Sequence, residues 1–335
     1  DLLGITKDPK YGGTGLDYSF SVVFAEALGH ACNASAIMSI GVQTDMATPA
    51  LDKYGSDLIK KEFLAPSISG DYVAALGVSE PNSGSDVASI KTSAKKDGDD
   101  YIINGQKMWT TTAQEADKIL LLVRTTPKED CKKATEGLSL FYTDLDHAYC
   151  DVRVIDKMGR KCVDSNEVFI NDLPVPAEDL IGEEGKGFKQ LMETFESARI
   201  QTAARAIGVA QSALDIATQY AQDRKQFGKS LIEFPRVSGK LAMMVVEIMV
   251  ARQLTYFSAW EKDNGHRCDL EAGMAKLLGA RVAWAAADNG LQIHGGNGFA
   301  MEYKISRVLC DARILNIFEG AAEIQAQVIA RRLLN

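Results

Sequence analysis

The sequence lacks the patterns that hold metals and disulfides. Its six cysteines are scattered without a CxxC pair, and its four histidines form no HExxH motif or comparable cluster. Cysteines and histidines at fixed spacing are the usual signature of a zinc site, and paired cysteines that of a disulfide framework. We therefore expect no metal site, and the cysteine usage is typical of a reducing compartment.

Long hydrophobic runs and blocks of like charge are also missing. The longest apolar run, residues 119–123, has the length of a strand and is far too short to span a bilayer. No signal or transit segment is visible at Asp1. The net charge is −8 with both signs interspersed. We expect neither a membrane span nor a nucleic-acid partner.

The length of 335 residues suggests two or three domains. The hydrophobic pattern changes twice along the chain. The first part, residues 1–72, has apolar residues at helical spacing. It predicts helices over 17–30, over 48–54 up to Gly55, and from 56 through 63 until Pro66 ends the last one.

Residues 73–182 contain short runs of strand-forming residues separated by turn pairs. The pairs Asp97-Gly98 and Asn104-Gly105 are typical of turns on either side of a strand at 101–103. Pro174 and Pro176 are expected to mark the exit from this region. Further strands are predicted at 119–124, 138–143, 152–155 and 167–170. Strands without intervening helices favour an antiparallel barrel or sandwich over a Rossmann sheet.

Residues 183–335 are helical again and predict an antiparallel bundle. One apolar stripe comprises Ala210, Ala213, Leu214, Ala217, Tyr220 and Ala221; another comprises Leu241, Met244, Val245 and Ile248. Asp269 is a candidate N-cap for a helix over 270–293. The fold class is therefore α+β, with an N-terminal helical domain (1–72), a middle antiparallel β domain (73–182) and a C-terminal helical bundle (183–335).

Glu319 stands between two apolar segments, in the stretch that runs from Asp311 to Gln325. A carboxylate partly removed from water has its pKa raised, which suits it to proton abstraction near neutral pH. Taken alone, the stretch also fits a solvated glutamate in a turn between helices.

Two segments of the middle region could bind a polar ring. Residues 76–86 include Pro81, Gly84 and several serines, a loop able to take a phosphate or ring edge, although it is neither a Walker loop nor GxGxxG. Trp109, followed by Thr110 and Thr111, could stack on a flat ring. An ordinary Ser/Gly turn and a core tryptophan are the alternative interpretations.

Two segments of the C-terminal region could approach a phosphate or a backbone closely. Residues 223–229 contain Arg224, which is either part of a cation cluster at a helix C-terminus or a pyrophosphate clamp. Residues 292–299 hold three glycines within four positions, 295, 296 and 298.

Together these four segments, placed ahead of Phe318-Glu319-Gly320, resemble the acyl-CoA dehydrogenase family of flavoproteins over essentially the whole chain. The resemblance implies FAD as cofactor, an acyl-CoA thioester as substrate and α,β-dehydrogenation to the trans-2-enoyl-CoA. It also implies a C-terminal four-helix bundle, an electron-transfer flavoprotein as electron acceptor and a homo-oligomer assembled as a dimer of dimers. The expected location is the mitochondrial matrix in a eukaryote and the cytoplasm in a bacterium.

The resemblance assigns roles to individual residues. Glu319 matches the base that removes the α-proton; Ala198 occupies the alternative position of the base and cannot serve. Substrate contacts match Ser85, Glu196, Arg199 and Gly320. Contacts to the cofactor match Leu76, Val78, Ser79, Gly84, Ser85, Trp109, Thr110, Thr111, Ala321 and Glu323. Contacts to the FAD of a neighbouring subunit match Arg224, Gln226, Phe227, Gln292, Gly295 and Gly296.

The sequence departs from the family pattern at a few positions. Phe318 stands where tyrosine is common, and Pro235 where glutamine is common. The family's first helices are expected to precede Asp1. An acyl-CoA oxidase, whose class usually carries an added C-terminal domain, and a non-catalytic flavoprotein of the same fold are the alternatives. The length and branching of the acyl chain stay open.

Overall fold

The computed structural model describes residues 2–31 and 34–334, which divide into two compact units. We call the first the β unit; it comprises residues 2–16, 38–156 and 162–195. We call the second the helical unit; it comprises residues 17–31, 34–37, 157–161 and 196–334.

The N-terminal region is helical, as its apolar spacing predicts. The helices are α1 (Tyr18–His30), α2 (Ala34–Gly41), α3 (Thr48–Tyr54), α4 (Asp57–Ile59) and α5 (Ala65–Ser69). The predictions over 17–30 and 48–54 are confirmed, and Gly55 follows α3 directly. The short π-helical turns Val42–Ala47 and Lys60–Leu64 join neighbouring helices.

The prediction that Pro66 ends a helix is wrong. The chain passes through the π-helical turn Lys60–Leu64 and continues into α5, with Pro66 in the first turn of that helix. Proline is tolerated there because the backbone N–H groups of a first turn have no partner within the helix. Gly70, with a φ of 91°, ends α5 and donates its N–H to the Pro66 carbonyl.

The described strands of the β unit form one eight-stranded, mainly antiparallel sheet in the order β6-β7-β3-β2-β4-β5-β8. The short β1 pairs with β4 in parallel, and β2 touches β4 in parallel at a single position. The strands are β1 (Ala74–Gly77), β2 (Ser93–Asp97), β3 (Asp100–Thr111), β4 (Lys118–Arg124), β5 (Leu138–Asp144), β6 (Cys150–Val154), β7 (Ser165–Val175) and β8 (Leu180–Ile181).

Asn104-Gly105 lies inside β3 and is not the turn that the sequence predicts. The register of β3 against β7 shifts between Ile103 and Gly105, as in a β-bulge. Gly105 has a φ of 151°, and a Cβ there would lie 2.5 Å from the Thr92 hydroxyl oxygen. The glycine is therefore explained by a close approach of β3 to Thr92.

Pro174 also lies inside a strand, where the sequence predicts an exit. It pairs with Ile102 of β3, whereas β7 pairs with β6 only through residues 166–170. At Pro174 one side of β7 is therefore free of β6, and the N–H that proline lacks leaves no ladder bond unmade there.

The strand β4 is buried along its whole length because both faces of the sheet are covered. Leu120 and Leu122 pack in a core with Leu51 and Phe63 of the N-terminal helices. Ile119, Leu121 and Val123 pack in a second core with Ile103 and Val168. This double burial explains an uninterrupted apolar run in an otherwise alternating sheet.

The helical unit is built on long helices. They are α6 (Gly187–Asp223), whose first turns belong to the β unit, α7 (Pro235–Asp263), α8 (Asp269–His294), α9 (Lys304–Arg313) and α10 (Ala322–Leu333). The short strands β9 (Lys225–Gln226) and β10 (Lys229–Ser230) follow α6. The predicted stripe from Ala210 to Ala221 packs in the core, whereas Val245 of the second stripe is half exposed. Cys268, and not Asp269, precedes α8; the Asp269 carboxylate accepts from Arg267.

Helix α7 is long and apolar enough to cross a membrane by length and composition alone, and a third of its most apolar window is buried in the protein. A core helix of a soluble protein meets the same measure, so this is weak evidence for a span.

Candidate active site

Glu319 lies in a strained turn between a 3-10 turn (Ile314–Asn316) and α10. Its φ is 52° and that of Gly320 is 87°, so both residues are left-handed. For a glutamate this conformation costs about 1–2 kcal/mol, and such strain is concentrated at functional sites. The carboxylate is only 11% exposed. A solvated glutamate, the alternative that the sequence leaves open, does not fit this burial.

Two neighbouring helices fix the turn. From α8, the Lys276 ammonium donates to the Gly320 carbonyl at 2.6 Å. From α10, the Gln325 side chain lies so close that a Cβ on Gly320 would be 2.0 Å from its amide nitrogen. Only glycine fits there. The amide group of Gln325 is buried without a hydrogen-bond partner among the described residues.

Buried cations surround the Glu319 carboxylate. Arg205 of α6 places its Nη2 at 3.6 Å from Glu319 Oε2 and donates to the Thr202 hydroxyl. The guanidinium of Arg160 lies over the Phe318 ring at 5.1 Å, and its Nε donates to the Asp311 carbonyl. We define Arg160, Arg205, Lys276, Asp311 and Glu319 as the charge cluster.

Burial lowers the pKa values of two cations of the charge cluster, Lys276 and Arg160, but leaves both above neutral pH. Burial lowers the pKa of Lys276 to about 8, although Glu319 opposes this. Burial and the like charge of Arg205 lower the pKa of Arg160 to about 10, with Asp311 and Glu319 opposing. Glu319 therefore lies in a field of fixed positive charge.

The sequence analysis missed Arg160, Arg205, Lys276 and Gln325. A signal was present for two of them. Arg205 interrupts a run of small apolar residues on α6, and Lys276 interrupts a similar run on α8. A lone cation on the buried stripe of a helix needs an anion, because buried charges are paired. Arg160 gives no such signal, since it stands in a connecting segment.

In the β unit the structure brings together the two segments that were expected to bind a ring. The Met108 N–H donates to the Ser79 carbonyl at 2.8 Å, which joins the segment after β1 to the last part of β3. Leu76 lies on β1, and Val78 follows that strand. Glu80 and Ser83 close a turn by mutual backbone hydrogen bonds, after which Gly84 and Ser85 are exposed.

A buried ion pair holds this loop. Lys107 of β3 donates to Glu80 at 3.0 Å and to the Val78 carbonyl at 3.1 Å. The Glu80 carboxylate also accepts from the N–H groups of Lys91 and Thr92. Burial would raise the pKa of Glu80, but the charge of Lys107 and these hydrogen bonds lower it below its ordinary value. The loop is therefore placed by the fold itself.

Trp109 and its neighbours fit a flat, polar-edged ligand such as FAD. Trp109 has a φ of 63° and leaves 54% of its surface exposed. Thr111 is buried beside it, and the Thr110 hydroxyl is buried without a hydrogen-bond partner among the described residues. An exposed indole at a strained position beside an unused hydroxyl suits stacking on a heteroaromatic ring.

The segments expected to reach a neighbouring subunit lie together in the helical unit. The Tyr220 ring stacks on His294 at 4.0 Å, and the Arg224 N–H donates to the Tyr220 carbonyl. This joins the end of α6 to the end of α8. Gln226 and Phe227 (95% exposed) follow α6, Gln292 lies near the end of α8, and Gly295 and Gly296 follow α8.

The residues matched to the substrate and to the adenine side occupy other parts of the helical unit. Glu196 accepts from the Lys262 ammonium at 3.3 Å and from the Cys268 thiol at 3.2 Å. Burial lowers the pKa of Arg199, with Glu196 opposing. Ala321 precedes α10, and Glu323 is exposed in its first turn.

Family models match nearly all of the chain. They are the N-terminal domain of acyl-CoA dehydrogenase over residues 1–71, its middle domain over 75–173 and its C-terminal domain over 185–334. The solved structure of butyryl-CoA dehydrogenase from Megasphaera elsdenii matches with a TM-score of 0.95 and 33% identity, covering 100% of this chain and 87% of that one. The chain belongs to the acyl-CoA dehydrogenase family. The expected family and α+β fold are confirmed.

Two further similar proteins are informative. A (2S)-methylsuccinyl-CoA dehydrogenase of Cereibacter sphaeroides is 55% identical over 100% of this chain, which spans 62% of the length of that relative. A structure described as the FAD complex of PigA matches with a TM-score of 0.93 and 26% identity, over 99% of this chain and 86% of that one. The expectation of FAD as cofactor is confirmed by the family and by this complex.

Proposed function

We propose that this protein catalyses the FAD-dependent α,β-dehydrogenation of an acyl-CoA thioester, with Glu319 as the base. The observation that carries the proposal is the strained Glu319-Gly320 turn, which holds a carboxylate at 11% exposure among buried cations. A general base must be fixed within hydrogen-bond reach of the proton that it removes. The contacts of Gly320 with Lys276 and Gln325 supply that fixation.

The residues act on the substrate in two ways. The Glu319 carboxylate takes the α-proton, and the backbone N–H of Glu319 donates to the thioester oxygen, where negative charge develops. Bound FAD would supply the acceptor for the hydride that leaves the β-carbon. Trp109, Thr111 and Ser79 would hold the flavin, and the exposed Gly84 and Ser85 would lie against its phosphates or the substrate.

We propose a short, carboxylated acyl chain as the substrate. Methylsuccinyl-CoA, named for the 55% identical relative, carries a free carboxylate at the end of a short acyl chain. The cations around Glu319 agree with such a substrate. An unsubstituted short or medium chain is the competing possibility.

We also propose a homo-oligomer in which each subunit completes a neighbour's site. Arg224 directly follows α6, 19 residues beyond Arg205, so the rise of the α-helix places it roughly 28 Å from Arg205 along the axis. Met243, Val246, Met249 and Val250 of α7 are between 49% and 56% exposed and suit burial against a second copy. Sedimentation velocity should give a species larger than the 36.4 kDa monomer. A monomer that retains FAD would contradict the proposal.

The decisive experiment is an anaerobic titration of the FAD-loaded protein with a panel of acyl-CoA thioesters, followed by the flavin absorbance. Bleaching by a thioester establishes dehydrogenation and identifies the substrate class. Admission of air then separates the electron acceptors. Slow reoxidation favours a dehydrogenase that passes electrons to an electron-transfer flavoprotein, and rapid reoxidation favours an oxidase. No bleaching by any thioester favours the non-catalytic flavoprotein.

The Glu319→Gln variant tests the base. We expect it to fold and to retain FAD, because the amide has the size of the carboxylate. The rate of bleaching should fall roughly 10²–10⁴-fold, since the amide cannot accept the proton. Bleaching at the rate of the wild type would remove Glu319 from its role.

A further inference from the structure

We propose that Lys276 is a positioning residue for the base: its buried ammonium holds the Gly320 carbonyl, and dehydrogenation depends on that ammonium being charged. The inference rests on the dehydrogenation proposed above and adds a control of that site by the charge of one lysine. Its basis is the hydrogen bond between α8 and the turn that carries Glu319.

Helix α8 holds the base segment at two points, one before and one after Glu319. The Lys276 ammonium donates to the Gly320 carbonyl at 2.6 Å. The Asn316 side chain donates to the Ala280 carbonyl at 3.2 Å. Lys276 and Ala280 are four residues apart, so they lie on one face of α8. Two hydrogen bonds to the same helix face therefore flank the left-handed base.

Of these two bonds, only the one from Lys276 depends on charge. A hydrogen bond from a charged donor is roughly twice as strong as one between neutral groups. A second side chain against Gly320 is that of Gln325, whose amide makes no hydrogen bond to the described residues. The Lys276 bond therefore opposes the strain of the left-handed turn most strongly while the lysine is an ammonium.

The turn sets the direction of both groups that act on the substrate. In the proposed reaction the Glu319 carboxylate takes the α-proton, and the Glu319 N–H donates to the thioester oxygen. The carbonyl that Lys276 holds belongs to the next residue, Gly320, so a rotation of that peptide unit changes the left-handed backbone from which the carboxylate projects. A misplacement of about 1 Å lowers a rate roughly 10²-fold.

The charge of Lys276 responds to its surroundings because the residue is 0% exposed. Burial lowers its pKa to about 8; Glu319 opposes this, Arg199 adds to it, and Glu323 opposes it. These groups come from the turn, from α6 and from α10. Helices α7 and α9 also pack against α8, and no titratable group that the structure describes on them acts on Lys276. The bond to the turn therefore weakens as the pH rises through about 8.

The test follows the anaerobic bleaching of the FAD-loaded protein at saturating thioester between about pH 7 and 9.5. The thioester is the one that bleaches the flavin fastest in the panel above. Lys276→Met removes the donor, and Lys276→Arg keeps a positive charge over the whole range. Lys240→Met is the matched control, because Lys240 is an exposed lysine of the same unit that donates to the neutral Asn289 side chain at 3.0 Å.

We expect the rates of the wild type and Lys240→Met to fall roughly tenfold as the pH rises, the ratio between a charged and a neutral hydrogen bond. Lys276→Met should be roughly 10–10²-fold slower than the wild type at pH 7 and show no further fall. Lys276→Arg should be faster than Lys276→Met and keep its rate at pH 9.5. A residue that only stabilised the fold would not remove the pH dependence.

Hydrogen exchange of the holoenzyme tests the hold on the turn without turnover. Peptides that cover residues 314–325 should exchange faster in Lys276→Met than in the wild type at pH 7. In the wild type they should lose protection between pH 7 and 9.5, after correction for the intrinsic exchange rate. Peptides of the β unit should not change.

The opposite results overturn the inference. An alkaline fall that persists in Lys276→Met would belong to another group, such as Arg160, whose pKa is about 10. Unchanged exchange over 314–325 would show that the lysine does not hold the turn. If Lys276→Met fails to bind FAD, the wild-type profile, the arginine variant and the exchange across pH still decide. If no thioester is oxidised, the dehydrogenation itself fails, and the exchange decides whether Lys276 holds the turn.

Discussion

Each unit of the molecule buries ionised side chains, and the two sets differ in how their charges are balanced. In the β unit, Lys107 and Glu80 are 0% and 8% exposed, and the carboxylate accepts from one ammonium and two backbone amides. In the helical unit, Glu319 faces Arg205 at a longer distance, and the buried cations Arg160 and Lys276 also act on it.

The difference separates a structural role from a ligand-binding one. A buried pair whose donors and acceptors are all satisfied within the chain fixes a loop and leaves nothing for a ligand. A buried cluster of charges around a strained backbone turn is typical of a functional site. The first set therefore fixes the loop of residues 76–86, and the second surrounds the proposed base.

Glu80→Gln is the strongest test of the structural role. The substitution leaves the Lys107 ammonium buried without its counter-charge, so we expect a loss of about 3–5 kcal/mol in the free energy of unfolding. FAD retention should fall as well, because the Ser79 loop loses its anchor. Denaturant unfolding and the ratio of bound flavin to protein measure the two effects.

Glu193→Gln is the matched control in the same unit. Glu193 pairs with Lys53 at 2.9 Å, but the two side chains are 38% and 52% exposed. A solvent-exposed pair contributes about 0–1 kcal/mol, so this variant should unfold almost as the wild type does. If both variants lost the same stability, burial would not be what distinguishes the Lys107–Glu80 pair.

Asp179→Asn tests what a buried acid costs in stability, with a smaller expected effect than Glu80→Gln. Asp179 is a buried acid of the β unit whose pKa burial raises to about 6, with the Thr143 hydroxyl opposing. Because the folded state holds this proton more tightly than the unfolded state does, the carboxylate lowers stability as the pH rises from about 4 to 6. The asparagine variant avoids that loss. It should be more stable than the wild type by about 1–2 kcal/mol at pH 8.

The pH dependence is the control for this variant. Near pH 4 the wild-type carboxyl is protonated in the folded state, so the difference between the two proteins should become small. Free energies of unfolding at pH 4, 5, 6 and 8 measure the trend. A difference that does not change with pH would show that Asp179 acts through its hydrogen bond rather than through its charge.

The kinds of secondary structure followed from local patterns in the sequence. Helices α1 and α3 and strands β4 and β5 lie where apolar spacing and turn residues place them. The errors, at Pro66, at Asn104-Gly105 and at Pro174, share one cause. Judged locally, proline and Asn-Gly usually end a helix or a strand. The structure accommodates Pro66 after a π-helical turn, Asn104-Gly105 in a β-bulge and Pro174 where β6 does not cover the edge of β7.

The candidate site was predictable only in part. Glu319, Trp109 and the Ser79 loop carry local signals, because their neighbours in sequence are unusual. Arg205 and Lys276 lie on two different helices, and Arg160 comes from a segment more than 150 residues before Glu319. No local pattern connects such residues.

The sequence by itself therefore determined most of the element types and the order of the motifs, and it singled out Glu319 as the proposed base. The tertiary structure alone decided which charges surround that base, because side chains distant in sequence meet only when the helices pack. It also decided that Glu80 pairs directly with Lys107 at 3.0 Å, whereas Glu319 lies 3.6 Å from Arg205 among further buried cations. Burial makes these distances matter, since a low dielectric strengthens the electrostatic interaction of every charge in both sets.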